Sequence, residues 1–281
     1  MKINIANIGP KEWVDFKSDI SFGLYYALKS LGHDVNISFN EVNAMALNLI
    51  IGSDIAVNHN DFLTSITRNK IDYMIYEVES FDGKTVNDRA QFMLGNYQAL
   101  LANAKAVITP YHANLKSLGE ICDSGKLHYA KWGYHPNLIN ERIIRTSNFN
   151  FDALFFGMLK GLRKEKSNQL MRADGFKIKF MGRQDPLTLK DYFVSVSKWG
   201  LSLSYGASEK FVNPFRLYYM AANGMPVLAD NVIDDDGYLA ICERSNFEDM
   251  AQKIAQDTPP ASEILERCRA QNLAENLRGI L

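Results

Sequence analysis

Cysteine is scarce in this chain. The 281 residues hold only Cys122, Cys242 and Cys268, far apart and with no Cys-x-x-Cys or close histidine. That excludes a disulfide framework and a zinc site, and leaves reduced, buried thiols. Long apolar runs are missing too. The longest candidate, Leu47 to Gly52, is far below the ~18 residues that span a bilayer, so no membrane partner is expected. The opening Met-Lys-Ile-Asn-Ile-Ala-Asn-Ile-Gly alternates like a strand and lacks the apolar core and cleavage site of a signal peptide, which points to a cytoplasmic protein. A charge of one sign is also absent: 31 Lys and Arg against 32 Asp and Glu leave a net charge of −1, so any polyanion must be gripped locally. The first strand ends in Asn7-Ile8-Gly9-Pro10-Lys11, without the G-x-G-x-x-G of a dehydrogenase, and no Walker P-loop follows. No isolated Asp-x-Asp pair marks a metal-bound nucleotide, so no metal is expected, and Asp234-Asp235-Asp236 reads as a solvated acidic loop.

What is present is an ordinary globular composition, 47% hydrophobic and 22% charged, at a length that fills roughly two domains. Strand and helix patterns alternate along the chain. The first series is Ile3 to Ile8, a helix from Ile20 to Leu31, Val35 to Phe39, a strand at Leu49 to Ile51 or Ile55 to Val57, and a short helix after Asp61. Tyr73 to Val78, a helix from Asn87 to Ala102, and Ala106 to Thr109 complete it. A polar stretch around 137–151 separates this from a second series: Ala153 to Phe156, Lys164 to Met171, Lys177 to Met181, a helix after Pro186, Gly200 to Ser204, Pro214 to Ala222, and Pro226 to Ala229. Such alternation implies parallel sheets covered on both faces. The expected organisation is an N-terminal Rossmann-like domain over 1–143 and a C-terminal one over 150–261. A helix over 262–281, begun by a Ser262 cap, is expected to pack back on the first domain.

Three constellations could carry chemistry. Asn213-Pro-Phe-Arg-Leu-Tyr-Tyr-Met-Ala-Ala-Asn-Gly-Met-Pro-Val-Leu-Ala-Asp230 reads as helix, turn and strand, and a helix N-terminus offers free N–H groups and a positive dipole to phosphate. It resembles the donor-binding segment of GT-B glycosyltransferases. Ahead of it, Phe155-Phe156-Gly157 is followed by Lys160, Arg163, Lys164 and Lys166. From Asp152 to Lys190 nine Lys or Arg face four Asp or Glu, a local cationic excess suited to a diphosphate. In the first domain Glu77, Glu79 and Asp82 fall at the C-terminal end of a parallel strand, where open α/β sheets place their chemistry and where a carboxylate could act as general base. Lys17, Ser18 and Asp19 follow the first strand and are candidates for sugar or acceptor contacts. Trp132-Gly-Tyr-His135 could stack on a base or pack between domains, and His112 lies near a strand end.

Read together, these segments resemble the T-even phage DNA β-glucosyltransferases, which transfer glucose from UDP-glucose to hydroxymethylcytosine in DNA. The similarity rests on four short pieces: Met1 to Gly9 with Phe16-Lys17; Lys70-Ile-Asp-Tyr-Met-Ile-Tyr-Glu77; Phe156-Gly157 with Lys160 and Arg163, then Lys179-Phe-Met-Gly182; and Arg216-Leu-Tyr-Tyr-Met-Ala-Ala up to Asp230. The resemblance implies a GT-B fold of two Rossmann-like domains facing each other across a cleft, the one over 1–143 on the acceptor side and the one over 150–261 binding the nucleotide sugar. It also implies a UDP-sugar donor with no required cofactor, and double-stranded DNA bearing a hydroxymethylated base as partner, in the host cytoplasm for a phage protein. Transfer with inversion would use Glu77 as catalytic base, and donor binding would use Gly157, Lys160, Arg163, Gly182, Arg216 and Tyr219. Two departures stand out. The family's ribose-binding Glu is here Tyr219, and the phosphate loop is one residue shorter with Lys160 in place of Arg. A GT-B enzyme for a polysaccharide or small acceptor, and a non-catalytic nucleotide-sugar-binding module, are the alternative readings.

Overall fold

The computed structural model describes residues 1–10, 17–58, 60–86, 94–159, 161–172, 175–182, 185, 188–204, 212–230 and 234–280. Lys160, Phe16 and the start of the helix expected from Asn87 lie outside the described residues. The chain divides into two compact units, Met1–Trp132 with Leu273–Leu281, and Gly133–Asn272. The division thus falls at Trp132 rather than in the polar 137–151 stretch.

The first unit runs β1 (Lys2–Asn7), α1 (Ser18–Ser30), β2 (Asp34–Phe39), β3 (Leu47–Ile51), α2 (Ser53–Ala56), α3 (Asn60–Arg68), β4 (Tyr73–Tyr76), α4 (Leu94–Asn103), β5 (Val107–Thr109), α5 (His112–Gly119) and β6 (Leu127–Tyr129). Of the two strands considered between 49 and 57, the earlier one forms, because Gly52 takes a left-handed φ of 90° and turns Ser53 to Ala56 into a helical turn. All six strands pair in parallel in the order β2-β1-β3-β4-β5-β6. Alternate residues of a strand point to opposite faces, and Ile3, Ile5, Ala6 and Ile8 are all buried, so both faces of β1 are covered. One core sets Ala6, Ile50, Tyr73, Ile75 and Val107 against Leu100 of α4. A buried polar rung pins the register: Asn4 pairs with both Asn36 and Asn48, donating to Asn48 Oδ1 at 2.9 Å and accepting from Asn36 Nδ2 at 3.3 Å. A slip would take the buried Asn4 amide away from these partners.

The second unit runs β7 (Phe151–Phe156), α6 (Gly161–Arg172), β8 (Ile178–Met181), α7 (Thr188–Val196), β9 (Ser197–Ser202), α8 (Pro214–Ala222), β10 (Val227–Ala229), β11 (Glu243–Arg244), α9 (Met250–Ala255) and α10 (Ala261–Arg269). Its five parallel strands lie in the order β8-β7-β9-β10-β11, over a core of Ala153, Phe155, Trp199, Leu201 and Leu228. The Asn213 side chain accepts from the Arg216 N–H at 3.0 Å and Pro214 opens the helix, a capping arrangement that fixes where α8 starts. The tail expected as one helix from Ser262 is two. α10 begins one residue earlier, at Ala261, and ends at Arg269, and α11 (Leu273–Leu277) packs on α1 of the first unit. Tyr134 bridges to Asn272 and its N–H donates to Gln271 O at 2.6 Å, so the chain enters and leaves the second unit side by side.

Candidate functional site

Both sheets start with the same strand order: the second strand lies to one side of the first, and the third to the other. Their connections therefore diverge between β1 and β3 and between β7 and β9, the switch points at which open α/β sheets form a crevice beyond the strand ends. Each crevice holds charged side chains that are largely withdrawn from water.

In the first unit Lys17, the residue that caps α1, reaches Asp54 Oδ1 at 3.3 Å and Glu79 Oε1 at 3.8 Å. A Cβ on Gly52 would collide with Ile8 O and come within 3.2 Å of Lys17 Nζ, so glycine at this strand end makes room for the ammonium. Burial works to lower the Lys17 pKa, yet Asp54, Glu79 and Glu77 outweigh it and hold the ammonium above its ordinary value. Glu77 follows β4 directly and is 0% exposed. Ser53 Oγ and Tyr97 OH donate to its Oε2 at 2.5 and 2.6 Å, and the Glu79 N–H donates to Oε1 at 3.0 Å. Burial, reinforced by the Asp54 charge, pushes the Glu77 carboxyl up to about 7 against these hydrogen bonds. The Glu79 side chain is 24% exposed. Its backbone is held by Asn114, whose Nδ2 donates to Glu79 O at 2.8 Å and whose Oδ1 accepts from the Phe81 N–H at 3.0 Å. Ser18 and Asp19 form the half-buried first turn of α1.

In the second unit Arg163 staples the crevice. Its Nε donates to Leu203 O just beyond β9 at 2.9 Å and its Nη1 to Met158 O just beyond β7 at 3.1 Å, with the guanidinium 5.4 Å from the Phe155 ring centre. Arg216 lies over the same ring at 4.8 Å and over Phe156 at 5.8 Å. Gly157 has a φ of 145°, and a Cβ there would come within 2.6 Å of Arg216 Nη2, so conformation and space both call for glycine. Tyr219, one turn after Arg216, packs edge-on against Phe156, and its hydroxyl donates to Asp191. Gly182 ends β8 in open space, with its N–H donating to Asp185 Oδ2 at 2.8 Å. Lys166 pairs with Asp230 at 2.5 Å and Lys179 with Asp185 at 3.7 Å, so part of the local cationic excess is used within the unit.

No protein-family model matches the sequence, and a search of the curated proteins finds no relative. Solved structures do share the architecture. The lipopolysaccharide outer core galactosyltransferase WaaB, in its apo form, is 8% identical, with 100% of this chain and 99% of that one covered at a TM-score of 0.52. AviGT4, a glycosyltransferase involved in avilamycin A biosynthesis, is 12% identical, with 100% and 96% covered at a TM-score of 0.55. The fold is GT-B.

Within this GT-B chain the structure groups Gly157, Arg163, Arg216 and Tyr219 around the end of β7, and Lys17 with Glu77 and Glu79 around the ends of β1, β3 and β4. Trp132 is buried edge-on against Tyr76, their ring centres 6.3 Å apart, so it packs within the first unit and presents no free face to a base. His135 Nδ1 accepts from the Asn137 N–H at 3.2 Å, and His112 stacks on Tyr129 at 3.8 Å. Asp234 of the acidic run accepts from the N–H groups of Tyr238 and Leu239, which makes it a cap rather than a solvated charge. Among the described residues no group of three or more His, Cys, Asp or Glu is placed to hold a metal ion, and no helix is long and apolar enough to cross a membrane. Sequence reasoning missed Ser53, Asp54, Tyr97 and Asn114 around Glu77, and Lys190 and Asp191 around Tyr219. Short polar residues after a strand offered a signal for Ser53 and Asp54. Nothing in spacing marked the others, which arrive from separate helices.

Proposed function

We propose that this chain is a glycosyltransferase that moves a sugar from a nucleotide diphosphate sugar, UDP-linked, to a neutral hydroxyl acceptor. The observation that carries the reading is the set of withdrawn cations about Phe155, Phe156 and Gly157 at the switch crevice of the second GT-B unit. A leaving diphosphate needs its charge balanced, and guanidinium groups held on aromatic rings supply that balance with little reorganisation. Arg216 would meet the diphosphate, Gly157 would allow its close approach, and Arg163 would tie the two strand ends together beside it. Tyr219 would line the donor site. Gly182 would leave the β8 end open, and Lys160 would extend the cradle.

On the first unit, Lys17 with Ser18 and Asp19 would contact sugar or acceptor. Glu77 and Glu79 would act as a pair, an adjustment of the expectation that Glu77 alone serves as base. Glu79 has the more exposed carboxylate of the two and would accept the proton of the incoming hydroxyl, and Glu77 would fix it through the Glu79 N–H. Three carboxylates around one ammonium disfavour a polyanion at this crevice, which moves the acceptor away from hydroxymethylated DNA and toward a saccharide or other neutral alcohol. The two structural relatives are glycosyltransferases by name, which supports the same reading.

The test is calorimetric titration with UDP, followed by incubation with UDP-glucose and either neutral glycosides or hydroxymethylcytosine duplex DNA across a salt series. UDP binding with transfer to a neutral acceptor is the expected result. Salt-sensitive transfer to the duplex would return the acceptor to DNA. An absence of binding by UDP and by every nucleotide sugar tried would end the glycosyltransferase reading.

A further inference from the structure

Lys190 is out of character for a lysine. This side chain normally runs its stem along the protein and keeps its ammonium in water, yet here the residue is only 8% exposed. Its Nζ lies 3.9 Å from the centre of the Tyr219 ring and 5.7 Å from that of Phe156. The rings that receive it are fixed. Tyr219 donates its hydroxyl to Asp191, accepts at its carbonyl from Asn223 Nδ2 at 2.7 Å, and packs edge-on against Phe156. Asp191 is held in turn, since its Oδ2 accepts from Asn140 Nδ2 at 2.6 Å.

Arg216 approaches the same Phe156 ring to 5.8 Å, and Arg216 and Arg163 share Phe155. Three cations are therefore seated on the rings of Phe155, Phe156 and Tyr219 near one strand end, with Arg216 within reach of two of them. All three are largely withdrawn from water, and cations seated on ring faces at the end of a crevice strand are placed to take a multiply charged anion. From this placement, and resting on the proposed donor site, we infer that Lys190 is a third donor-binding cation, that it contacts the diphosphate, and that Tyr219 is the positioning residue that seats it. The site would consequently read ligand charge, binding UDP more tightly than UMP and UMP more tightly than uridine.

The experiment measures the affinities of UDP, UMP and uridine for the wild type and for K190Q, K190M and K190R, with K105Q, far along the chain in the other unit, as control. For K190Q and K190M the expected result is a loss of about tenfold or more for UDP, in the range of a charged hydrogen bond, with uridine unchanged. K190R should stay within a few-fold of the wild type. Y219F should keep most UDP affinity because the ring remains, whereas Y219L should lose it together with the Lys190 contribution. In the wild type itself, lysine-selective isotope labelling read by NMR should show the Lys190 side-chain signal shifting with UDP and not with uridine, which tests the contact even where a variant fails to fold. If the wild type binds UDP but K190Q and K190M bind it equally well and the Lys190 signal does not move with UDP, Lys190 is not a ligand and the donor site stands without it. Equal losses of UDP and uridine would make Lys190 a packing residue, also against the inference. Failure of the wild type to bind any nucleotide would instead remove the glycosyltransferase reading beneath it.

Discussion

The two units share strand order and opposite chemistry. In each, the crevice beyond the first and third strands holds a buried cation near the strand ends, Lys17 in one and Arg163 in the other. Lys17 faces carboxylates, with Asp54 and Glu79 within 4 Å and Glu77 close enough to raise its pKa. Arg163 faces backbone carbonyls and an aromatic ring, and shares that ring with Arg216. One crevice can thus handle a proton and the other can hold an anion. The parallel sheet dictates where the chemistry sits, and a handful of side chains dictates its sign.

The largest effect that would break this comparison is on transfer. Replacing Glu79 with Gln keeps size and hydrogen-bonding capacity but cannot accept the hydroxyl proton, so transfer should fall ~100-fold or more while UDP affinity holds. Glu77→Gln should cost less, by loosening the Glu79 backbone. Steady-state rates on both variants decide it, and a dead Glu77→Gln beside an active Glu79→Gln would put the base back on Glu77.

On the anion side, Arg216→Ala should weaken UDP binding by about 1.5–3 kcal/mol, the range for hydrogen bonds to charged groups. Gly157→Ala should follow with a smaller loss and a lowered melting temperature, because the new methyl meets the guanidinium at 2.6 Å in a left-handed backbone. Calorimetry and thermal melts read both, and unchanged UDP affinity in the pair would detach Arg216 from the diphosphate.

The smallest effect is on stability. A carboxyl raised to about 7 in the folded state and near 4.5 when unfolded binds more protons folded than unfolded between those values. Stability should therefore decline as pH rises across that window, by at most about 1.4 kcal/mol per pH unit from this group. Glu77→Gln should remove that portion of the slope. Denaturant unfolding at pH 5, 6 and 7 checks it, and identical slopes in the two proteins would mean that Glu77 is already ionised at pH 5.

Most of the fold was legible in the sequence, because strand and helix alternation, Gly-Pro breaks and the Asn213-Pro214 start of α8 are local signals. Where they failed, a neighbour decided: the Gly52 turn resolved which strand forms near 50, and packing on α1 separated α11 from α10. The site was half legible. Glu77, Arg163 and Arg216 sit where strand and helix ends place them, and a sequence shows strand and helix ends. Whether Glu77 meets water or three hydrogen-bond donors depends on Ser53 and Tyr97, residues 24 and 20 positions away that reach it from α2 and α4. The seat of Lys190 depends likewise on Tyr219 and Phe156, carried on a different helix and a different strand. Periodicity along the chain determines which elements form and which ends of them converge. Burial, charge neighbours and ring contacts arise only when distant elements pack, and those alone decided which carboxylate is shielded and which lysine is drawn out of solvent.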